Sequence, residues 1–172
     1  RRICGRIYKL LPEVGAVART AVYLIVKDNV MNKYDIIILG AGPGGYVAAL
    51  KAAQSKKSVA LIEKDNVGGM CLNWGCIPSK SLQKSAKIYD TILRSKEFGI
   101  DGVDTAKLEI NWKAMKERAF KVVEKLTNGV KTLLTKNGVV IYNGFGEVTG
   151  DKTIEVNGEK LEFDNLIIAT GS

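Results

Sequence analysis

Histidine is absent from all 172 residues, so chemistry that needs an imidazole base must take it from elsewhere. Cysteine is scarce: three in the chain do not make the disulfide framework of a small secreted domain. No apolar run is long enough to span a bilayer, and Ala21–Val26 falls far short of the ~20 residues needed, so the protein is expected to be soluble. Internal repeats and low-complexity segments are missing as well. The net charge is +8, but 26 basic residues are scattered among 18 acidic ones without a long cationic block. That pattern reads as solvated surface, with neither a nucleic acid nor a membrane as partner. An apolar content of 46% suits a globular domain with its own core.

Residues 1–30 stand apart. Arg1, Arg2, Arg6, Lys9, Arg19 and Lys27 face only Glu13 and Asp28, so one-sixth of the chain supplies half of the net charge. The segment is Arg-rich and acid-poor, as a mitochondrial transit peptide would be, but it lacks serine and does not begin with Met. The favoured reading is a neighbouring module's tail or translated upstream sequence. Met31 directly precedes the first strand signal, the boundary is expected near Val30, and no function attaches to Cys4.

From there the chain alternates. Tyr34-Asp-Ile-Ile-Ile-Leu39 is a β-branched run closed by glycine, as expected of a strand buried on both faces of a parallel sheet. The Ala-rich stretch Tyr46–Ser55 predicts a helix, and Ser58–Glu63 a second strand, completing a βαβ unit. One helix is expected from Cys71 to about Leu93 and another from Leu108 to Lys136, with a loop around Phe98–Thr105 between them. Short strands follow at Val139–Tyr142, Glu147–Thr149, Thr153–Val156 and Lys160–Phe163. Asn157-Gly158 is a strong hairpin signal among them. Asn165–Ala169 reads as a further buried strand, and with the chain ending at Ser172 the domain is expected to be truncated.

Gly40-Ala-Gly-Pro-Gly-Gly45 matches G-x-G-x-x-G directly after the first strand, and Glu63 ends the second strand 18 residues beyond Gly45. Gly40 permits the tight turn, Gly42 lets backbone approach a pyrophosphate, and Gly45 lets helix and strand pack closely. The helix N-terminus offers N–H groups and partial positive charge to phosphates, and Glu63 an acceptor to a ribose diol. Taken together these features predict a dinucleotide site; the motif alone does not choose between FAD and NAD.

Cys71-Leu-Asn-Trp-Gly-Cys76 separates two thiols by five positions, ~500° of rotation and ~7.5 Å of rise on a regular helix. The side chains would point apart, so a bridge needs a distorted turn, which Gly75 and Pro78 could supply. Two independent buried thiols and a metal site are the alternatives. Without histidine or a third cysteine nearby, no metal is expected.

Gly68-Gly-Met-Cys-Leu-Asn-Trp-Gly-Cys-Ile-Pro-Ser-Lys80 resembles the active-site signature of the pyridine-nucleotide disulfide oxidoreductases with C-x4-C spacing. Together with Met31–Ala49 it resembles the dihydrolipoamide dehydrogenases more than the glutathione or mercuric reductases. Met70 and Trp74 stand where that family often has Thr and Val. The resemblance covers Asn32–Ser172, leaving residues 1–30 outside. It implies an α/β, Rossmann-like FAD-binding domain over residues 31–172, with a parallel sheet plus a small antiparallel β-meander, lacking the nicotinamide and dimerisation domains. It further implies FAD as cofactor, with its pyrophosphate over Gly40–Gly45 and its ribose on Glu63. Lys80 matches a flavin contact and Gly146 a backbone contact to the cofactor. Thr170, Gly171 and Ser172 match a second FAD fingerprint. Cys71 and Cys76 become the redox-active pair that passes electrons from dihydrolipoamide through FAD to NAD. The partners implied are a lipoamide-bearing acyltransferase, or a small-molecule disulfide, and a second copy in a homodimer that supplies the missing histidine. The implied location is the bacterial cytoplasm or the mitochondrial matrix. The 172 residues alone are expected to bind FAD without turnover, and a non-catalytic flavin-binding remnant is the reading of a different class.

Overall fold

Strand β1 (Asn32–Leu39) carries Ile37 and Ile38 on opposite faces, and both are fully buried, so the strand must be covered on both sides. In the computed structural model, which describes residues 31–171, it lies near the middle of a six-stranded sheet. The expectations placed on residues 1–30 and on Ser172 lie outside the described residues.

Helix α1 (Pro43–Gln54) follows β1, and β2 (Val59–Glu63) returns beside it in parallel, with Ile37 opposite Ala60. Strand β3 (Val140–Asn143) extends the parallel layer, Leu61 facing Ile141. Strands β4 (Gly146–Gly150), β5 (Thr153–Val156) and β6 (Glu159–Ile168) form an antiparallel meander. The sheet order is β3-β2-β1-β6-β5-β4, so the meander continues the parallel sheet. Strand β6 ascends alongside β1: Lys33 pairs with Asp164 at 2.9 Å, and farther on Ala169 N–H donates to Leu39 O at 2.8 Å.

This corrects the expectation of two strands at Lys160–Phe163 and Asn165–Ala169. They are one ten-residue strand, because only Asp164 separates them and its carboxylate pairs with Lys33. The first half closes the meander and the second lies beside β1. The second half is also less buried than its apolar sequence predicts. Ile168 is 68% exposed, because no helix among the described residues covers that face.

Two cores result. On one face, Ile38, Ala49, Val59 and Leu61 pack with Leu134 and Val139; Ala49 comes from α1 and Leu134 from the long helix that ends at Lys136. On the other, Ile154, Val156, Leu161 and Phe163 of the meander pack with Ile37, Ala60 and Ile62. Each apolar side chain so removed from water contributes roughly 1.5–3 kcal/mol before chain entropy is counted. The Tyr34 and Tyr142 hydroxyls meet at 2.9 Å at the edge of this second core; burial, with that bond, pushes the Tyr34 phenol up.

The region between β2 and β3 is helical. α2 (Gly69–Asn73) and α3 (Cys76–Leu93) lead through two 3-10 turns to α4 (Trp112–Lys136). Helix α4 begins four residues later than predicted, because Asn111 caps it by accepting from Ala114 N–H at 3.0 Å. Helix α1 begins three residues earlier than predicted, with Pro43 in its first turn, where a missing N–H costs nothing. Arg118 of α4 donates to the Ser81 carbonyl at 3.0 Å and the Ser81 hydroxyl at 2.9 Å, tying α3 to α4. No helix among the described residues is long and apolar enough to cross a membrane.

At the start of the parallel pair, Asp35 Oδ2 accepts from Ser58 N–H at 2.7 Å and from its hydroxyl at 2.8 Å, while Asp35 N–H donates to Ser58 Oγ at 2.8 Å. The Ser58 backbone and side-chain hydrogen bonds hold the Asp35 carboxyl below its ordinary range. A depressed folded-state value means a stabilising contribution that is complete above the unfolded value of about 3.9 and lost as pH falls through the folded one. D35N is therefore expected to lower the urea midpoint relative to wild type at pH 7, and the gap is expected to shrink at pH 3.

Candidate functional site

Between β1 and α1 only Gly40, Ala41 and Gly42 are available to reverse the chain. Gly40 has φ +100°, a conformation strained for any side chain, and a Cβ there would collide with the Ala169 carbonyl oxygen. At Gly45 a Cβ would collide with the Gly40 carbonyl oxygen. The two ends of the motif are glycine because the chain meets itself there.

Gly42 is different. It precedes α1 with φ −68°, which any residue adopts, and a Cβ would find only Gly69 Cα at 4.0 Å. At Gly44 a Cβ would meet nothing within 4 Å. Packing inside the chain does not ask for glycine at either place. No side chain caps α1 and its first turn has no acid, so the N–H groups of that turn stand beside open space and can hold an anion.

Glu63 closes the loop from the other side. Its Oε2 accepts from Ala41 N–H at 2.7 Å and its Oε1 from Asp65 N–H at 2.9 Å. The acid at the tip of β2 thus anchors backbone, and each oxygen keeps lone pairs for a further donor. A cleft of about 160 Å³ opens here, walled by Gly40, Glu63 and Lys64 and, opposite, by Gly144, Phe145, Gly146 and Thr170. Gly146, expected as a turn glycine, is the buried first residue of β4; a Cβ would lie 2.7 Å from Leu39 Cδ1. Thr170 and Gly171 are exposed beyond the end of β6. Lys64 and Phe145 were missed in the sequence, although each sits next to a residue singled out there.

The cysteines are docked on the same loop. Gly68 N–H donates to Ala41 O at 2.8 Å, and a Cβ on Gly69 would lie 2.7 Å from Gly42 Cα. Glycine against glycine lets α2 approach this closely, and Asn73 holds its start by donating to Val67 O and Gly69 O. The helix expected over Cys71–Leu93 is in fact two. Trp74 and Gly75 N–H both donate to Met70 O, ending α2, and Gly75 with φ −115° and ψ −100° breaks the path before α3. That break brings Cys71 and Cys76 to a Cα separation of 4.7 Å, and they are bridged. Gly75 supplies the distorted turn; Pro78 does not, since it sits in the first turn of α3. The bridge replaces the alternative of two separate thiols, and among the described residues no group of three or more His, Cys, Asp or Glu is placed to hold a metal ion. Cys71 is half-buried and Cys76 exposed. Lys80, also exposed, lies one turn beyond Cys76 on α3.

Comparison with known proteins agrees with this geometry. The model of the pyridine nucleotide-disulphide oxidoreductases matches residues 34–172. The chain belongs to this family. Curated relatives within it are named dihydrolipoyl dehydrogenase. One from Acholeplasma laidlawii is 52% identical over 141 residues, covering 82% of this chain and 41% of its own length. One from Zymomonas mobilis is 44% identical, covering 82% of this chain and 31% of its own. A third, from Manduca sexta, is 38% identical over 96% of this chain and 34% of its own length, an alignment that reaches into the first thirty residues. The chain thus spans about two-fifths of the first relative and about a third of the others.

In a Cys4→Ser background, a thiol assay on the folded 172-residue chain is expected to find none before reduction with dithiothreitol and two after it. Two thiols without reductant would contradict the bridge.

Proposed function

We propose that residues 31–172 are the FAD-binding portion of a flavin-dependent disulfide oxidoreductase that oxidises dihydrolipoamide, residues 1–30 lying outside this domain. The observation that carries the reading is the docking of the Cys71–Cys76 bridge on the glycine loop, where Gly69 packs against Gly42.

The residues present fit FAD. Glycine at 42 and 44 is unexplained by packing inside the chain and is explained if a pyrophosphate lies against the first turn of α1. Gly40 and Gly45 set the turn. Glu63, already fixed by two backbone N–H groups, takes a ribose hydroxyl. Gly146 and Thr170 line the cleft and would contact the cofactor, and Lys80, Gly171 and Ser172 are the further contacts that the family resemblance implies.

The roles given to the two cysteines are those the family resemblance implies. A substrate thiolate attacks Cys71 Sγ; the Cys71–Cys76 bond breaks, a mixed disulfide forms, and Cys76 leaves as thiolate. The second substrate thiol attacks the mixed disulfide, expelling Cys71 and releasing oxidised lipoamide. Cys76 is the first residue of an 18-residue helix, whose N-terminal partial charge, with the Lys80 ammonium one turn away, favours its thiolate. FAD, if held beside this pair, would supply the two-electron acceptor, with NAD as the final acceptor in the whole protein. There the partners are a lipoamide-bearing acyltransferase, or a small-molecule disulfide, and a second copy of the chain. An imidazole to take the substrate proton would have to come from outside these 172 residues, which contain no histidine.

Two measurements test this. Gly42→Ala is expected to unfold at the same denaturant concentration as wild type while losing FAD retention, whereas Gly45→Ala loses roughly 3 kcal/mol of stability or more from the collision with Gly40. Equal FAD retention by Gly42→Ala and wild type would remove the pyrophosphate from this loop. The purified 172 residues are expected to give no dihydrolipoamide-dependent NADH formation, and detectable turnover would overturn that expectation.

A further inference from the structure

Between the strand residues Asn143 and Gly146, which pair with Glu63 and Val156, Gly144 and Phe145 wall the cleft with little packing of their own. Phe145 is 70% exposed, and two of the four residues are glycine. What holds the segment comes from 14 positions later, where Asn157 Nδ2 donates to the Asn143 carbonyl oxygen at 2.7 Å. Asn157 also occupies the space beside Gly144, where a Cβ would collide with its side-chain amide. On the other side, Gly144 N–H donates to Glu63 O at 2.8 Å, tying the segment to the strand that carries the ribose acid.

Asn157 itself sits in the β5–β6 turn with φ +52°. Glycine would satisfy that backbone as well; what asparagine adds is the amide that reaches Asn143. We propose that Asn157 is a positioning residue, pinning the Asn143–Gly146 wall so that the cleft is preformed for the adenosine end of a dinucleotide. The role in affinity rests on the FAD reading above; the pin itself does not.

Asn157→Gly keeps the turn and removes the amide, and Asn157→Asp keeps the shape but turns a donor into a carboxylate facing a carbonyl oxygen. By hydrogen exchange on the ligand-free chain, both variants are expected to exchange the Gly144 and Phe145 amides about tenfold faster. The β5 and α4 amides should be unchanged, and the thermal midpoint of Asn157→Gly should hold. FAD dissociation constants are expected to rise about fivefold to tenfold in both. Unchanged exchange at Gly144 and Phe145 in both variants overturns the pin, as does faster exchange spread evenly over the chain, which would make Asn157 a residue of general stability. A wild-type chain that takes up no FAD overturns the dinucleotide reading instead, while the exchange result, obtained without ligand, still decides the pin.

Discussion

The contact on which the rest of the structure depends is the approach of backbone to backbone at the tip of β1. Gly45 lies against the Gly40 carbonyl, Gly40 against Ala169 and Gly69 against Gly42, each at a distance no side chain permits. Because these segments touch, the start of α1, the end of β6 and the start of α2 converge on one point at the carboxyl end of the parallel strands. The glycine loop and a disulfide then stand together, although 25 residues of sequence lie between Gly45 and Cys71. A methyl group on Gly69 would push the bridge-bearing helix away from the loop, whereas one on Gly40 or Gly45 would disrupt the turn itself.

The meander shows a second economy. Its Ile154, Val156, Leu161 and Phe163 cover the face of the parallel sheet that the helices leave open. The turn between its last two strands delivers Asn157 to the Asn143 carbonyl, and its first residue, Gly146, fits between Leu39 and Ile154. One antiparallel unit therefore completes the core and shapes the cleft, so a change in the hairpin reaches the site through two hydrogen-bonded neighbours.

Much of the fold was legible as pattern. The βαβ unit, the long helix ending at Lys136, the meander and its Asn157-Gly158 turn all follow from local periodicity and from residues with special backbone preferences. The glycine loop and the cysteine pair were legible too, because their chemistry narrows the residue types allowed. The breaks were not. The end of α2 depends on Trp74 and Gly75 sharing one carbonyl, and the union of two apolar runs into β6 depends on Lys33, more than 120 residues away, pairing with Asp164.

By itself the sequence determined most of the strands and helices and singled out the glycine loop and the cysteine pair, since period, β-branching and glycine placement act over a few neighbouring residues. Only the tertiary structure decided which glycines serve the chain's own packing and which leave room for something else. It also decided that Glu63 anchors two backbone N–H groups, and that Cys71 and Cys76 stand close enough to bridge. Those outcomes depend on distances between segments far apart in the chain, which local preferences do not encode.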